Sequence, residues 1–506
     1  MTAERLIDGF LAAAERYPQR WALHEVAAEG DDRGIRYREL ATAVRRLAVW
    51  LQQSGLEPGQ RVGIHLPNSL EYVLAYYAAW AAGLVPVALN TQATAHELSA
   101  WIGHSGCSLL FSRQPAEQTG GSLPVSSLDI DETGAIRIDG EALHDAGSLQ
   151  PVDDQPIAAL IYTSGTTGAP KGITLGHDNL ASNIAGVIES LSIRPDDRFL
   201  CVLPFYYSFG NSILHSHLSL GATLVLLDPA GYPVRILDAI ERYACHGFAG
   251  VPSLYLSLLK KTDFARHDLS SLRYLTQAGG PLAVEFIREL QQRLPGVKLY
   301  VMYGQTECSA RIACLPPERL DDKLGSAGLP IRGLEVRIVD EQGNPCPPGA
   351  EGEICVRGAS IMRGYWQDAG RTAEVLRDGW LHTGDHGYLD HEGFIFIVGR
   401  QTEMLKIADN RVSPYEIEEV ILELPGVEEC AVIGCEHRLL GQAAHAAIVA
   451  SDPGLTEMAV KKHCKQQLAH YKIPKTVAFV DALPKTSSGK IRRGEIPCPH
   501  NERNPR

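Results

Sequence analysis

The stretch from residue 61 to residue 90 constrains the fold most. RVGIHLPN, EYVLAYYAAWAAG and VPVALN follow one another: a β-rich run, a long apolar helical pattern and a second β-rich run. The rhythm continues with a further helix, SLLFS, a polar Gly/Ser stretch, IAALIYT, a helix around residues 177–191, and FLCVLP. Strands alternating with helices of this length predict βαβ units and a mostly parallel sheet, so the fold class is α/β.

At 506 residues the chain has room for two to four domains. From Gly325 the texture changes to Gly-punctuated β-rich segments, EVRIVD, GEICVRG and FIFIVGR, which predict a β subdomain. After Arg400 a new pattern begins, with VSPYEIEEVILEL as a helix and ECAVIGC and AHAAIVA as strands. The expected organisation is a large core over residues 1–400 and a small α+β domain over 401–506, with CPHNERNPR as a tail. A net charge of -13 argues against nucleic acid or an anionic membrane as main partner. No apolar run is long enough to span a bilayer, and the acidic N-terminal segment fits no export signal, so a cytoplasmic location is expected. Eleven cysteines without a C-x-x-C pair predict mostly buried free thiols rather than a zinc site or disulfide framework.

The richest chemistry lies in IYTSGTTGAPKG, residues 161–172. Gly165 and Gly168 let backbone amides face one concave point. Thr163, Ser164, Thr166 and Thr167 add hydroxyls, and Lys171 adds a charge. Such a nest suits a polyphosphate. The spacing fits neither G-x-x-x-x-G-K-[ST] nor G-x-G-x-x-G, which argues against a P-loop NTPase or a Rossmann dehydrogenase.

The loop resembles the phosphate-binding motif of the adenylate-forming superfamily of acyl- and aryl-CoA synthetases, peptide-synthetase adenylation domains and luciferase. Three further stretches resemble that family in order: YGQTECS at 303–309, GWLHTGDHGYLDHEGFIFIVGR at 379–400 and LPKTSSGKIRR at 483–493, with GEICVRGASIMRGYW at 352–366 as another recurring segment. The resemblance implies a carboxylic acid ligase that uses ATP and Mg²⁺. Glu307 would contact the metal and Thr306 a phosphate, while Tyr303, beside Gly304, would pack on adenine. Ala278, Gly279 and Gly280 would line the adenine and acyl pockets, Asp385 and Arg400 would hold the ribose, and the loop would hold the β- and γ-phosphates. Lys490 would enter the site from a mobile C-terminal domain and stabilise charge at the carboxylate and α-phosphate.

The chain departs from the family pattern in two places. Thr402 stands two residues after Arg400, where Asp or Lys is usual at the hinge. The K-x-x-G-x-R pattern reads Lys406-Ile-Ala-Asp409-Asn-Arg411, placing an acid beside the expected pantetheine tunnel. The acceptor therefore stays open among CoA, a carrier-protein thiol and an amine. For the acid, Tyr206 occupies the position where amino-acid-activating domains place aspartate, and no acid lies between Phe205 and Leu220, so an α-ammonium would go unpaired. Tyr207, Phe209, Gly210, Phe248 and Met302 instead predict an apolar pocket for an aryl, alicyclic or medium-chain acid. Tyr207 stands where many acyl-CoA synthetases have histidine. A degenerate nucleotide-binding scaffold is the non-enzymatic alternative, and retention of Lys171, Glu307, Asp385 and Lys490 argues against it.

Overall fold

The computed structural model describes residues 5–27, 31–115, 123–144, 147–152, 155–163, 170–228, 233–407, 410–437, 440–486, 489 and 491–499. Two parallel sheets carry the large N-terminal part. In one, Cys107–Ser112, Arg61–His65, Val85–Ala88 and Ala159–Thr163 run parallel. In the other, Trp21–Val26, Thr223–Leu227, Arg198–Cys201, Gly247–Gly250, Tyr274–Gln277 and Lys298–Tyr303 form an unbroken parallel series. The α/β class expected from the strand–helix rhythm is the class observed.

The helix Leu70–Ala81 explains how the layers join. Its N-cap Ser69 accepts from the Tyr72 amide at 3.2 Å, and nearly every residue along it is buried. A helix apolar on all sides must be enclosed on all sides. Its one acid, Glu71, is held by Arg33 at 2.9 Å and Arg113 at 3.2 Å. Helices Tyr37–Gln53 and Leu6–Arg16 pack around it, and the helix His177–Leu191 lies where the periodicity predicted it.

Two features differ from the sequence reading. The sequence reading has no strand between IAALIYT and the helix around residues 177–191, but one is present. Ala159–Thr163 pairs antiparallel with Lys171–Leu175, Thr163 opposite Lys171, so the glycine-rich segment joins a hairpin. Pro170 and Gly172 had masked the second strand, because both read as loop signals. The β-rich segments after Gly325 are also continuous by hydrogen bonding with the parallel sheet. Lys298–Tyr303 passes antiparallel to Ala313–Leu315, then Ser326–Pro330, Ile395–Arg400 and Trp380–Leu389.

The C-terminal part has its own sheet, in which Val427–His437 and Gly441–Ala450 pair antiparallel and Thr476–Phe479 adds a parallel strand. Helices Pro414–Leu422 and Glu457–Gln467 cover it around a separate apolar core. Seven of the nine free cysteines are buried, as expected. Cys435 and Cys498, however, form a disulfide that the scattered spacing did not reveal.

Candidate active site

The site is organised by one turn. Lys298–Tyr303 ends in Gly304, and the chain doubles back so tightly that a Cβ on Gly304 would lie 1.8 Å from the Ala310 carbonyl oxygen. Only glycine permits that approach. Thr306–Cys308 forms a short 3₁₀ segment, Ser309 takes a left-handed conformation at φ 58°, and the Ile312 amide returns to the Tyr303 carbonyl at 2.8 Å. Asn183, fully buried on the helix behind, pins the turn. Its Nδ2 donates to the carbonyls of Cys308 at 3.0 Å and Arg311 at 2.8 Å, and its Oδ1 accepts from the Arg311 amide at 3.3 Å.

At one end of the turn, Glu307 Oε1 accepts from Lys171 Nζ at 2.8 Å and from the Tyr365 hydroxyl at 3.0 Å. The ammonium also lies 4.4 Å from the Tyr365 ring centroid. The sheet creates this meeting, because Gly364–Tyr365 pairs with the strand that carries Lys171. Burial alone would push the Glu307 carboxyl up, but the Lys171 ammonium and the Tyr365 hydroxyl outweigh it and hold the group below its ordinary value. An ionised carboxylate with Oε2 outside both bonds suits a hard divalent cation.

At the other end, the Tyr303 hydroxyl donates to Asp385 Oδ2 at 2.6 Å, and Arg400 Nε donates to Asp385 Oδ1 at 3.0 Å. Asp385 and Arg400 are direct partners on adjacent antiparallel strands. Burial and the neighbouring Asp385 carboxylate raise the Tyr303 phenol well above its ordinary value, so it stays a neutral donor. Three residues that sequence reading placed around one nucleoside therefore touch one another.

Thr163 is half-buried opposite Lys171, whereas Ser164, Gly165, Thr166, Thr167, Gly168, Asp409 and Lys490 lie outside the described residues. Ala278 is buried at the end of Tyr274–Gln277, and Gly279 follows at φ 92° beside Val251. Gly280 accepts from Gln277 Nε2 at 2.6 Å. Tyr207 caps the helix Ser208–Leu218, which carries Phe209 and Gly210. A Cβ on Gly210 would lie 2.2 Å from the Pro204 carbonyl oxygen, so this glycine seats the helix against the preceding turn. Met302 is buried one residue before Tyr303.

Phe248 is buried on Gly247–Gly250, meets Tyr255 edge-on and lines a small apolar cavity with Leu237, Ile240 and Leu258. Lys406 is exposed on Leu405–Ile407. Next to Lys490, the Gly489 carbonyl accepts from Ser253 Oγ of the large N-terminal part at 3.2 Å.

Four participants escaped the sequence reading. Tyr365 sat unremarked inside GEICVRGASIMRGYW. Ser208 bonds the Thr306 hydroxyl at 3.0 Å. Asn183 occupies an interior helical position, where a polar residue among apolar ones was the available signal. Arg311 lies four residues after Glu307, and its guanidinium carbon stands 3.9 Å from the Phe209 ring centroid.

The fold and paired clusters define a class of nucleotide-dependent enzyme, and the comparisons identify it. The chain matches the AMP-binding enzyme family over residues 10–366 and the AMP-binding enzyme C-terminal domain over residues 416–490. It belongs to that family. It is 34% identical over 487 residues to a feruloyl-CoA synthase of Amycolatopsis sp, covering 94% of this chain and 96% of that protein. Among solved structures it resembles o-succinylbenzoate coenzyme A synthetase of Bacillus subtilis in complex with ATP and magnesium ion, with TM-score 0.83, 30% identity, and 96% and 98% of the two chains covered. It also resembles ATP-bound MatB of Rhodopseudomonas palustris, with TM-score 0.85, 30% identity, and 97% and 98% covered.

Proposed function

We propose that the chain is an ATP-dependent, AMP-forming carboxylic acid–thiol ligase acting on an acid with an apolar skeleton, aryl, alicyclic or medium-chain, and that CoA is the thiol. The observation that carries this reading is the turn from Tyr303 to Glu307, with an ion-paired cluster suited to phosphate and metal at one end and one suited to ribose at the other. Two of the named relatives are a feruloyl-CoA synthase and an o-succinylbenzoate coenzyme A synthetase, which supports the same chemistry.

Activation brings a carboxylate to the α-phosphorus of ATP. The new C–O–P linkage forms as the bond to pyrophosphate breaks, and the electron pair leaves with pyrophosphate. The thiol, losing its proton, then attacks the acyl carbon and AMP departs. Lys171, the hydroxyls of Thr163, Ser164, Thr166 and Thr167 and the amides of Gly165 and Gly168 neutralise and hold the departing phosphates, with Thr306 beside them. Glu307 and Thr306 would hold Mg²⁺, which would supply positive charge to the phosphates. Asp385 and Arg400 orient the sugar, and Tyr303, Gly304, Ala278, Gly279 and Gly280 line the base and acyl sites. Tyr207, Phe209, Gly210 and Met302 flank the acid. The chain divides after Arg400, so that Lys490 reaches the carboxylate for activation and leaves when the small domain rotates, exposing Lys406 and Asp409 to the acceptor.

Amide formation is the second reading, and Asp409 is what favours it: an added negative charge beside a thiol tunnel repels phosphorylated pantetheine and attracts an amine. A panel of acids assayed for acid-dependent pyrophosphate release, followed by mass spectrometry with CoA and with amines offered separately, tests both. Release with at least one acid, followed by a thioester, is expected. No release with any acid rejects the ligase, and amide without thioester rejects the thiol.

A further inference from the structure

Arg311 is 3% exposed, and no carboxylate pairs with it among the described residues. Other guanidiniums near the interior have their acids: Arg493 pairs with Glu418 and Arg273 with Asp197. Arg311 instead lays its face on Phe209, and its Nε points at the Met302 sulfur at 3.3 Å. Its backbone is clamped on both sides by Asn183, so the side chain starts from a fixed point. Its two terminal nitrogens donate to no described residue. Burial lowers the guanidinium to about 9, which leaves it cationic at neutral pH.

A buried cation with no counter-charge is costly, and a carboxylate is the ligand that satisfies two parallel guanidinium N–H groups at once. Phe209 and Met302 are residues that flank the acid in the proposed reaction, and the present inference rests on that reading. We propose that Arg311 binds a second carboxylate, at the far end of the acid from the carboxylate being activated. The substrate then has an apolar middle, lying along Phe209 and Met302, and an anionic end that Arg311 recognises. This removes the apparent conflict between an apolar pocket and a buried charge within it. It also narrows the acid from any apolar one to a dicarboxylic one.

Matched acids that differ only at the far end provide the test: 3-phenylpropanoate against 3-(4-carboxyphenyl)propanoate, and octanoate against octanedioate. Acid-dependent pyrophosphate release gives kcat/KM for each with wild type, Arg311→Leu and Arg311→Lys. Wild type is expected to favour the dicarboxylate of at least one pair by about 100-fold or more, because a site built around a polar partner strongly rejects the analogue lacking it. Arg311→Leu should bring that ratio to about one or invert it, mainly through KM, and Arg311→Lys should keep part of it. Wild type favouring the monocarboxylate in both pairs overturns the inference while leaving the ligase reading intact. So does an Arg311→Leu variant that slows both members of a pair equally, which is what a purely structural arginine would produce. No release with any acid rejects both readings. If Arg311→Leu fails to fold, the wild-type preference and the lysine variant still decide the matter.

Discussion

Glu307 acquires its charge from its neighbours. Buried, it would resist ionisation; with Lys171 and Tyr365 on the same oxygen, it ionises more readily than an ordinary glutamate. A group with a depressed folded pKa adds stability above its unfolded value near 4.5, and that stability is lost as pH falls through the folded value. Tyr365→Phe removes one of the bonds to the charged form, at a cost of about 2 kcal/mol at neutral pH. The variant protonates Glu307 at a higher pH than wild type, so the gap between the two should narrow as pH is taken from 7 down past 4.5. Urea midpoints at several pH values measure this, and a gap that stays constant would remove the Tyr365 hydroxyl from the carboxylate's environment. Glu307, Lys171, Asp385 and Arg400 were legible in the sequence because each sits in a motif whose chemistry needs that residue type. Tyr365 and Arg311 were not, because their roles depend on which strand or helix the fold sets against them. Phe248 shows the same limit: an aromatic residue on a strand has two faces to choose from, and local sequence does not choose.

At the scale of elements, the unit that matters is the helix His177–Leu191 holding the turn after Lys298–Tyr303. The helix was readable from its periodicity, whereas its clamp was not, since Asn183 is separated by 125 residues from one bonded partner and 128 from the other. Asn183→Ala would leave the Cys308 and Arg311 carbonyls and the Arg311 amide without their partner in a buried turn. Stability should fall by about 3 kcal/mol. The turn carries Tyr303, Thr306 and Glu307, so pyrophosphate release should also fall, and more steeply than the loss of folded protein accounts for. Thermal unfolding beside initial rates on the folded fraction tests this; an unchanged rate per folded molecule would mean that the turn keeps its shape unaided. The hairpin strand Lys171–Leu175 teaches a related lesson. Proline and glycine argue for a loop in isolation, but pairing with Ala159–Thr163 on one side and Gly364–Tyr365 on the other supplies hydrogen bonds that local sequence does not announce.

Across the whole molecule, sheet continuity makes Tyr303 a junction. The parallel strands end there, the antiparallel strands begin there, and Asp385 and Arg400 come back to it from residues that read as a separate subdomain. Beyond Arg400 the segment around Lys490 is fastened chiefly to the C-terminal part, with Gly489 also accepting from Ser253 of the large N-terminal part. Arg493 binds the buried Glu418, with Nη2 at 2.9 Å from Oε2, and donates to the Val432 carbonyl at 2.9 Å. Glu418 in turn accepts from the Val432 amide at 2.5 Å. Leu483 and Ile496 on either side of that segment are buried against Ala431 and Ala447, and the Cys435–Cys498 disulfide closes its end. In the proposed two-step reaction, a segment held so would travel with the small domain. Arg493→Ala strands the Glu418 charge in the interior, and breaking a buried pair from one side costs about 3–5 kcal/mol. The variant should unfold its C-terminal part earlier and release pyrophosphate more slowly while still binding ATP, since the partners of Arg493 are Glu418, Val432, Glu403 and Tyr415 and include neither Glu307 nor Asp385. Replacing both partners by leucine removes the stranded charge, so the double variant should regain most of the stability. Its rate then isolates the anchoring role: stability restored with pyrophosphate release still slow means that the pair positions the Lys490 segment, whereas full recovery of both would reduce Arg493 to a stabilising contact.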